Sequence, residues 1–472
     1  MLDLIKTLIL LVLFGLVAPT IGFLIRHSQR FQRWNVALLC FMTTGGIFGA
    51  TEWGLTLFPF EYRSHARGYH FYFILVPAMI LIFARLFHNW REFKFPPGFW
   101  LFYLFCASAS FSIFVAEFPT YVLMAALKTI ECSVIGIAIY NYLRDEEDLR
   151  YMLYCLACTM AWQVVVVLKQ KYVDHIYQVF GTFEHQNSLS TFATMIGLTL
   201  LGAGLAPKAR YSNWFFWSYL FCAAIVESSL SRGSLAMFAV GTVAVLLLSL
   251  IDRVTKRRIY ALIGLSTVAA IGLAFTMDTI VGRFNDYGND ESKHTRDLLN
   301  EAARAMVSDH PLGVGWNNFG RMLNHPYHYG ENIDAWQRQA GNPVDPLYQK
   351  GIVESLYYLI IAENGYPSIV IFVSFFALFL WFNLRGAIQF RSDFLGGFSI
   401  GIFAGCGVIY IQSTLERVLT QPRNMFLWFL LLGAVSKIET WRRAEKAWIK
   451  HEAEQPNQFE RNELAGLTET VS

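Results

Sequence analysis

Apolar stretches that approach or reach about 17–25 residues, enough for a helix to cross some 30 Å of hydrocarbon, recur along most of this 472-residue chain. They fall near residues 4–25, 36–51, 70–87, 99–117, 120–143, 151–170, 188–206, 214–230, 233–251, 259–277, 366–384, 394–414 and 424–437, thirteen runs of which the second and last are the weakest. The first is too long for the apolar core of a cleaved signal peptide and lacks a small-residue cleavage site, so it reads as a retained anchor. The pattern predicts an all-α integral membrane protein of about 12–13 transmembrane helices with one large, partly helical outer loop.

That loop divides the chain. Residues 1–277 form an N-terminal block of helices, 278–365 the loop, 366–437 three further helices, and 438–472 a polar tail expected to be a helix that frays. Within the loop, Leu298, Leu299, Ala302, Ala303 and Met306 recur at helical spacing, predicting a helix over Thr295–Ser308. His310-Pro311 ends it, because proline disfavours the helical conformation in the residue before it. Gly313 and Gly315 then permit a tight turn, with Trp316 and Phe319 free to wedge against membrane or core.

Composition fits a membrane protein. The chain is 55% hydrophobic and 15% charged, where soluble domains carry roughly a quarter charged residues. The basic residues alternate between connections. Arg26/Arg30/Arg33, Arg85/Arg91/Lys94, Arg144/Arg150, Lys208/Arg210, Arg253/Lys256/Arg257/Arg258 and Arg385/Arg391 lie on one side. The opposite connections hold only Arg63/Arg67, Lys169/Lys171, Arg232 and Arg417/Arg423. The richer side is cytoplasmic, so the N-terminus and the 278–365 loop face outward and the tail from Arg442 faces inward. All seven cysteines lie in apolar runs, which leaves the loop without a disulfide scaffold. Cys155 and Cys158 form a CxxC without further ligands and read as small core residues. With no glycine-rich phosphate loop, no metal-ligand cluster and no nucleic-acid-binding character, the expected energy source is a gradient or an activated substrate.

The outer side collects polar groups beside apolar runs: Gly181-Thr182-Phe183-Glu184-His185-Gln186-Asn187-Ser188, Ser231-Arg232-Gly233-Ser234, and Arg283, Arg296, Glu354 and Glu363 from the loop. Each charge alone is ordinarily an interface anchor. Arg232, however, sits in a very short turn among small residues, and Arg296 on the polar side of an otherwise apolar helix. Two arginines converging from separate elements suit a diphosphate, which their planar forks bind bidentately. A carboxylate beside them suits deprotonation of an attacking hydroxyl.

Four stretches carry a resemblance: Arg296 with Asp309-His310-Pro311-Leu312-Gly313-Val314-Gly315-Trp316-Asn317-Asn318-Phe319, Gly181 to Asn187, Ser231-Arg232-Gly233, and Ala362-Glu363-Asn364-Gly365. In order and placement they resemble the O-antigen ligase and polymerase family over roughly residues 180–435. The resemblance implies a multi-span glycosyltransferase of the bacterial cytoplasmic membrane. Such an enzyme moves glycan from undecaprenyl diphosphate to a glycan, lipid or protein hydroxyl without metal or nucleotide cofactor. It implies that Arg232 and Arg296 hold the donor diphosphate, with Arg283, His185, Asn187 and Glu363 as further substrate-binding candidates. One position departs from the pattern. Where ligases place His-Asn before Ala-Glu-x-Gly, this chain has Glu354-Ser355, which makes Glu354 the candidate base. The rival class is a transporter or flippase, to which Lys128 and Glu131, three apart in one apolar run, would belong.

Overall fold

The computed structural model describes residues 2–45, 54–59, 66–206, 210–252, 254–267, 291–324, 326–339, 351–391 and 393–454. In chain order the helices are α1 (Leu2–Ile25), α2 (Gln29–Met42), α3 (Leu75–Asn89), α4 (Phe99–Phe114), α5 (Pro119–Tyr142), α6 (Glu146–Val173), α7 (Gln186–Leu205), α8 (Ser212–Ser229), α9 (Arg232–Asp252) and α10 (256–267). They continue with α11 (Glu291–Asp309), α12 (Phe319–Met322), α13 (Glu331–Gln339), α14 (Leu356–Gln389), α15 (Phe394–Gln412) and α16 (Pro422–Glu454).

Each of the thirteen apolar runs overlaps one of these helices. Seven of the described helices, α1, α5, α6, α7, α9, α14 and α15, are long and apolar enough to cross a membrane. Among the described residues, a pair of short strands is the exception to the helices. The first residues of the 70–87 run pair, as β2 (Tyr69–Tyr72), antiparallel to β1 (Gly54–Leu57). At the other end, α16 continues unbroken from its apolar first half into the polar tail, where Glu439 receives Arg442 Nε at 2.7 Å and Arg443 Nε at 2.7 Å.

The bundle is organised around α7, whose apolar window is wholly buried and which packs on α8, α9 and α15. Its sequence explains the position. Ser188, Ser190, Thr191, Gly197, Thr199 and Gly202 present little bulk. In lipid, where no hydrophobic force separates helix from solvent, small residues let backbones approach and gain dispersion contact. At Gly202 the approach is extreme: an added Cβ would stand 2.7 Å from the Gly401 nitrogen of α15.

The loop between the two sets of helices builds a second apolar core. Leu298, Leu299, Ala302, Ala303 and Met306 of α11 are all buried, joined by Val314, Phe319, Leu323, Tyr329, Ile333, Ile352, Val353, Leu359 and Ala362. The expected loop helix thus forms on the expected face and extends further at its start, to Glu291, ending at Asp309 before His310-Pro311.

The loop docks at a break in α14. The backbone leaves helical geometry at Gly365 (φ 73°, ψ −178°), two residues before Pro367. Breaking the helix orphans carbonyls, since Pro367 has no N–H to offer Glu363. The loop supplies the partners: Val314 N–H donates to the Ala362 carbonyl and Gly315 N–H to the Glu363 carbonyl, each at 2.9 Å, while Tyr366 N–H turns to Pro311 at 3.2 Å. Only glycine adopts the Gly365 geometry readily, and a Cβ there would also stand 2.6 Å from Leu312 Cα. Gly365→Ala should therefore cost about 1–3 kcal/mol, read as a lower midpoint in thermal unfolding of the detergent-purified protein, with proteolysis of the loop accelerated.

Candidate functional site

The turn that follows α11 is fastened on three sides. Asn317 uses both ends of its amide on Ala66, donating to its carbonyl and accepting from its N–H, each at 2.8 Å. Asn318 Oδ1 accepts from Phe118 N–H at 3.1 Å, and the Trp316 N–H donates to Ser112 Oγ at 2.9 Å. The Trp316 ring packs edge-on to Phe105 of α4, and Phe319 is fully buried in the loop core. Beneath them, buried Glu363 accepts Phe319 N–H on Oε1 at 3.2 Å and also takes the Asn317 N–H. The structure thus gives the Glu363 carboxylate to the chain's own backbone, at the latch between loop and α14.

Glu354 stands where the two cores meet: Ile352 and Val353 belong to the loop core and Leu356 to the bundle core. Ser355 caps α14, its hydroxyl accepting the Tyr358 N–H. The Leu356 N–H donates to the Ser413 carbonyl at 2.9 Å, tying this segment to the end of α15. Glu354, left half-exposed, makes an ion pair with Arg296 Nε from α11.

His185 reaches the same place from α7, which it caps by accepting the Asn187 N–H on Nδ1 at 3.2 Å. The turn before it is rigid. Gln170 accepts the Gly181 N–H at 2.8 Å and donates to its carbonyl at 2.7 Å, Gln163 donates to Thr182 Oγ1 at 2.9 Å, and Arg423 donates to the Thr182 carbonyl. Burial holds the His185 imidazole below its ordinary pKa, opposed by the charge of Glu354 and reinforced by that of Arg296. His185, Arg296 and Glu354 therefore share one electrostatic site.

Two residues that sequence reasoning passed over complete it. Glu416, just beyond α15, accepts from Asn187 Nδ2 at 3.0 Å and from Gln412 Nε2 at 3.3 Å. Gln412 also donates to Ser234 Oγ at 2.9 Å, and Ser234 accepts from Ser190 Oγ at 2.8 Å and Ser231 Oγ at 3.1 Å. This network draws the first turn of α9, which opens with half-buried Arg232, onto the start of α7 and the end of α15. Burial raises the Glu416 carboxyl above its usual range, opposed by Arg296 and Gln412 and reinforced by Glu354. A lone Glu-Arg pair after an apolar run has the sequence signature of an interface anchor, so nothing marked Glu416 in advance. Of the sequence candidates, His185, Asn187, Arg296 and Glu354 come together, Arg232 opens the helix that carries Ser234, and Glu363 sits in the latch. Arg283 lies outside the described residues.

The apolar helices define a multi-pass membrane protein, one whose polar site is assembled where a folded loop meets the ends of its helices. The model of the O-antigen ligase family matches residues 217–373, and the match supports that family for the chain. The matched span contains Arg232, Arg296, Glu354 and Glu363, whereas His185, Asn187, Gln412 and Glu416 flank it. The family supports a glycosyltransferase-like membrane protein of polysaccharide biosynthesis. No curated protein matches the chain.

If the latch depends on Glu363, truncating it strands two N–H groups in a dry setting, each worth about 1–3 kcal/mol. Glu363→Ala should lower the thermal midpoint and expose the 311–319 turn to protease, while Glu363→Gln, which keeps an acceptor, should do so far less.

Proposed function

We propose that this protein transfers or polymerises undecaprenyl-diphosphate-linked glycan on the outer face of the bacterial cytoplasmic membrane, as an inverting glycosyltransferase that needs no metal. The observation that carries this reading is the Arg296–Glu354 ion pair at the junction of loop and bundle, with His185 and Asn187 beside it and the Arg232 turn linked through Gln412 and Glu416.

Arg296, the candidate phosphate-binding cation, is ion-paired with Glu354, the candidate base. An arriving diphosphate competes for Arg296, because a guanidinium fork binds phosphate oxygens bidentately, and its capture releases Glu354. The acceptor hydroxyl oxygen then attacks the anomeric carbon from the face opposite the diphosphate, and Glu354 takes the hydroxyl proton. The bond from the anomeric carbon to the diphosphate oxygen breaks with its electron pair, and undecaprenyl diphosphate departs with its charge held by Arg232 and Arg296. Inversion follows from the single displacement.

Analysis of surface glycan after gene deletion separates the two forms of the reaction: single-repeat glycan marks a polymerase, and full-length chains stranded on the lipid carrier mark a ligase. The transporter alternative would rest on Lys128 and Glu131, both buried in α5, and on gradient-driven solute uptake into proteoliposomes.

Two substitutions test the roles. Arg232→Ala should slow transfer roughly ten- to a hundred-fold, as expected for loss of one charge-assisted contact of about 1.5–3 kcal/mol; a normal rate in membranes would remove Arg232 from donor binding. Glu354→Gln keeps size and hydrogen-bonding reach but accepts no proton, so activity should fall by about 10²–10⁴-fold, with Glu354→His recovering part of it. Full activity in Gln would end the general-base assignment.

A further inference from the structure

A second polar pocket lies at the opposite end of the helices from the loop. α5 starts beside Phe118, which is fastened to Asn318 of the loop turn, and runs 24 residues to Tyr142, about 36 Å at roughly 1.5 Å per residue. At that far end Gln32 of α2, Arg85 and His88 of α3, Asn141 and Tyr142 of α5, and Arg144 of the link to α6 line one pocket. Its lining holds two guanidiniums and an imidazole but no carboxylate. Arg85 gives Nη2 to Glu92 at 2.5 Å, while its Nε is buried and has no acceptor among the described residues. Buried donors in folded proteins are almost always paired. Arg144 donates Nη2 to the amide oxygen of Gln32. The acid nearest to it in sequence beyond the link, Asp148, is committed elsewhere: it accepts from Arg33 Nη2 and Gln29 Nε2, each at 3.3 Å, and from the Arg144 backbone N–H at 3.4 Å. Glu92 stands by the same cations. A hydrogen bond from Asn89, then the charges of Arg85, His88 and Arg144, hold its carboxyl below the ordinary range against a small desolvation.

We propose that this pocket binds the phosphate group of an anionic phospholipid, held between Arg85 and Arg144 so that it clamps α3 to the link between α5 and α6. A phosphate oxygen supplies the acceptor that Arg85 Nε lacks, and guanidinium forks bind such oxygens bidentately. The surroundings favour a lipid over a soluble phosphate. Phe23, Phe87 and Trp90 are exposed at this end of the helices, and Phe23 meets Phe87 edge-on at 5.8 Å. Arg26 Cζ stands 3.6 Å from the Phe23 ring centroid and Arg91 Cζ 5.7 Å from that of Trp90. Aromatic rings level with cations mark the depth at which acyl chains give way to headgroups. Basic pockets between membrane helices on the cytoplasmic side recognise anionic headgroups, and this end carries Arg26, Arg30, Arg33, Arg91, Lys94 and Arg150 besides the two pocket arginines. The pocket binds its lipid whatever reaction the loop site performs.

The test titrates the detergent-purified full chain with phosphatidylglycerol, followed by native mass spectrometry, with phosphatidylcholine and inorganic phosphate as rival ligands. Phosphatidylglycerol should bind in preference to phosphatidylcholine and resist displacement by an equal concentration of inorganic phosphate. Arg144→Gln should weaken phosphatidylglycerol binding roughly ten- to a hundred-fold, as for loss of one charge-assisted contact. Arg91→Gln, which removes an exposed charge outside the pocket, should weaken it by less than about twofold. Arg144→Lys keeps the charge without the fork; it should fold as the native chain does and bind between the native protein and Arg144→Gln, which keeps the test open if Arg144→Gln fails to fold. Native affinity in Arg144→Gln, or in Arg144→Lys where only that variant folds, would overturn the site. Equal weakening by Arg91→Gln would reduce it to the general attraction of a basic surface, and equal binding of phosphatidylcholine would remove the role of charge; either overturns the proposal. Ready displacement by inorganic phosphate would give the pocket to a soluble ligand and overturn its assignment to lipid.

Discussion

The arrangement depends on an exchange of backbone hydrogen bonds at the break in α14. A buried stretch of helix cannot leave N–H and C=O groups unpaired without a cost of about 1–3 kcal/mol each. The break at Gly365 would do so, and residues 311–315 of the loop take up the freed groups. Glu363 extends the exchange by offering its carboxylate to the N–H groups that the next turn leaves over. The loop is therefore no appendage. It is part of the hydrogen-bonding of a transmembrane helix, and Asn317 and Asn318 carry the same fastening to Ala66 and Phe118.

Because the loop is fixed there, its charged residues have defined addresses. Arg296 rides on α11, whose apolar face is committed to the loop core, while Asn187, Gln412 and Glu416 belong to helices of the bundle. Glu354 lies between the two cores and is bound on each side by its neighbours. Arg296, Glu354, Glu416 and the His185 imidazole thus meet at the edge of a buried interior, where charge–charge terms are larger than in bulk solvent.

Much of this was legible in the sequence, and the remainder has physical reasons for having been hidden. Hydropathy located the helices because lipid imposes length and composition on them together. The 3.6-residue repeat located α11, and His310-Pro311 located its end. What local pattern could not show was pairing across distance: that Glu363, one of the substrate-binding candidates, accepts the N–H groups of Asn317 and Phe319, or that Glu416 finds Asn187 more than two hundred residues away. A carboxylate at a helix mouth has the same local signature whether it anchors, braces or reacts. The β1–β2 pairing was obscured for another reason, since Tyr69–Tyr72 merges into a longer apolar run that hydropathy alone assigns to a helix.

The loop core and the bundle core are separate apolar clusters joined along α14, by backbone hydrogen bonds and by the side chains of Trp316, Asn317 and Asn318, and this has an evolutionary consequence. α13 is seated on the loop core through Ile333 and Trp336, while Glu331, Asn332, Ala335 and Arg338 stay exposed. Substitutions there can accumulate without disturbing either the membrane helices or the charged junction. A lineage can thus alter the face it turns to its surroundings while inheriting the joint unchanged.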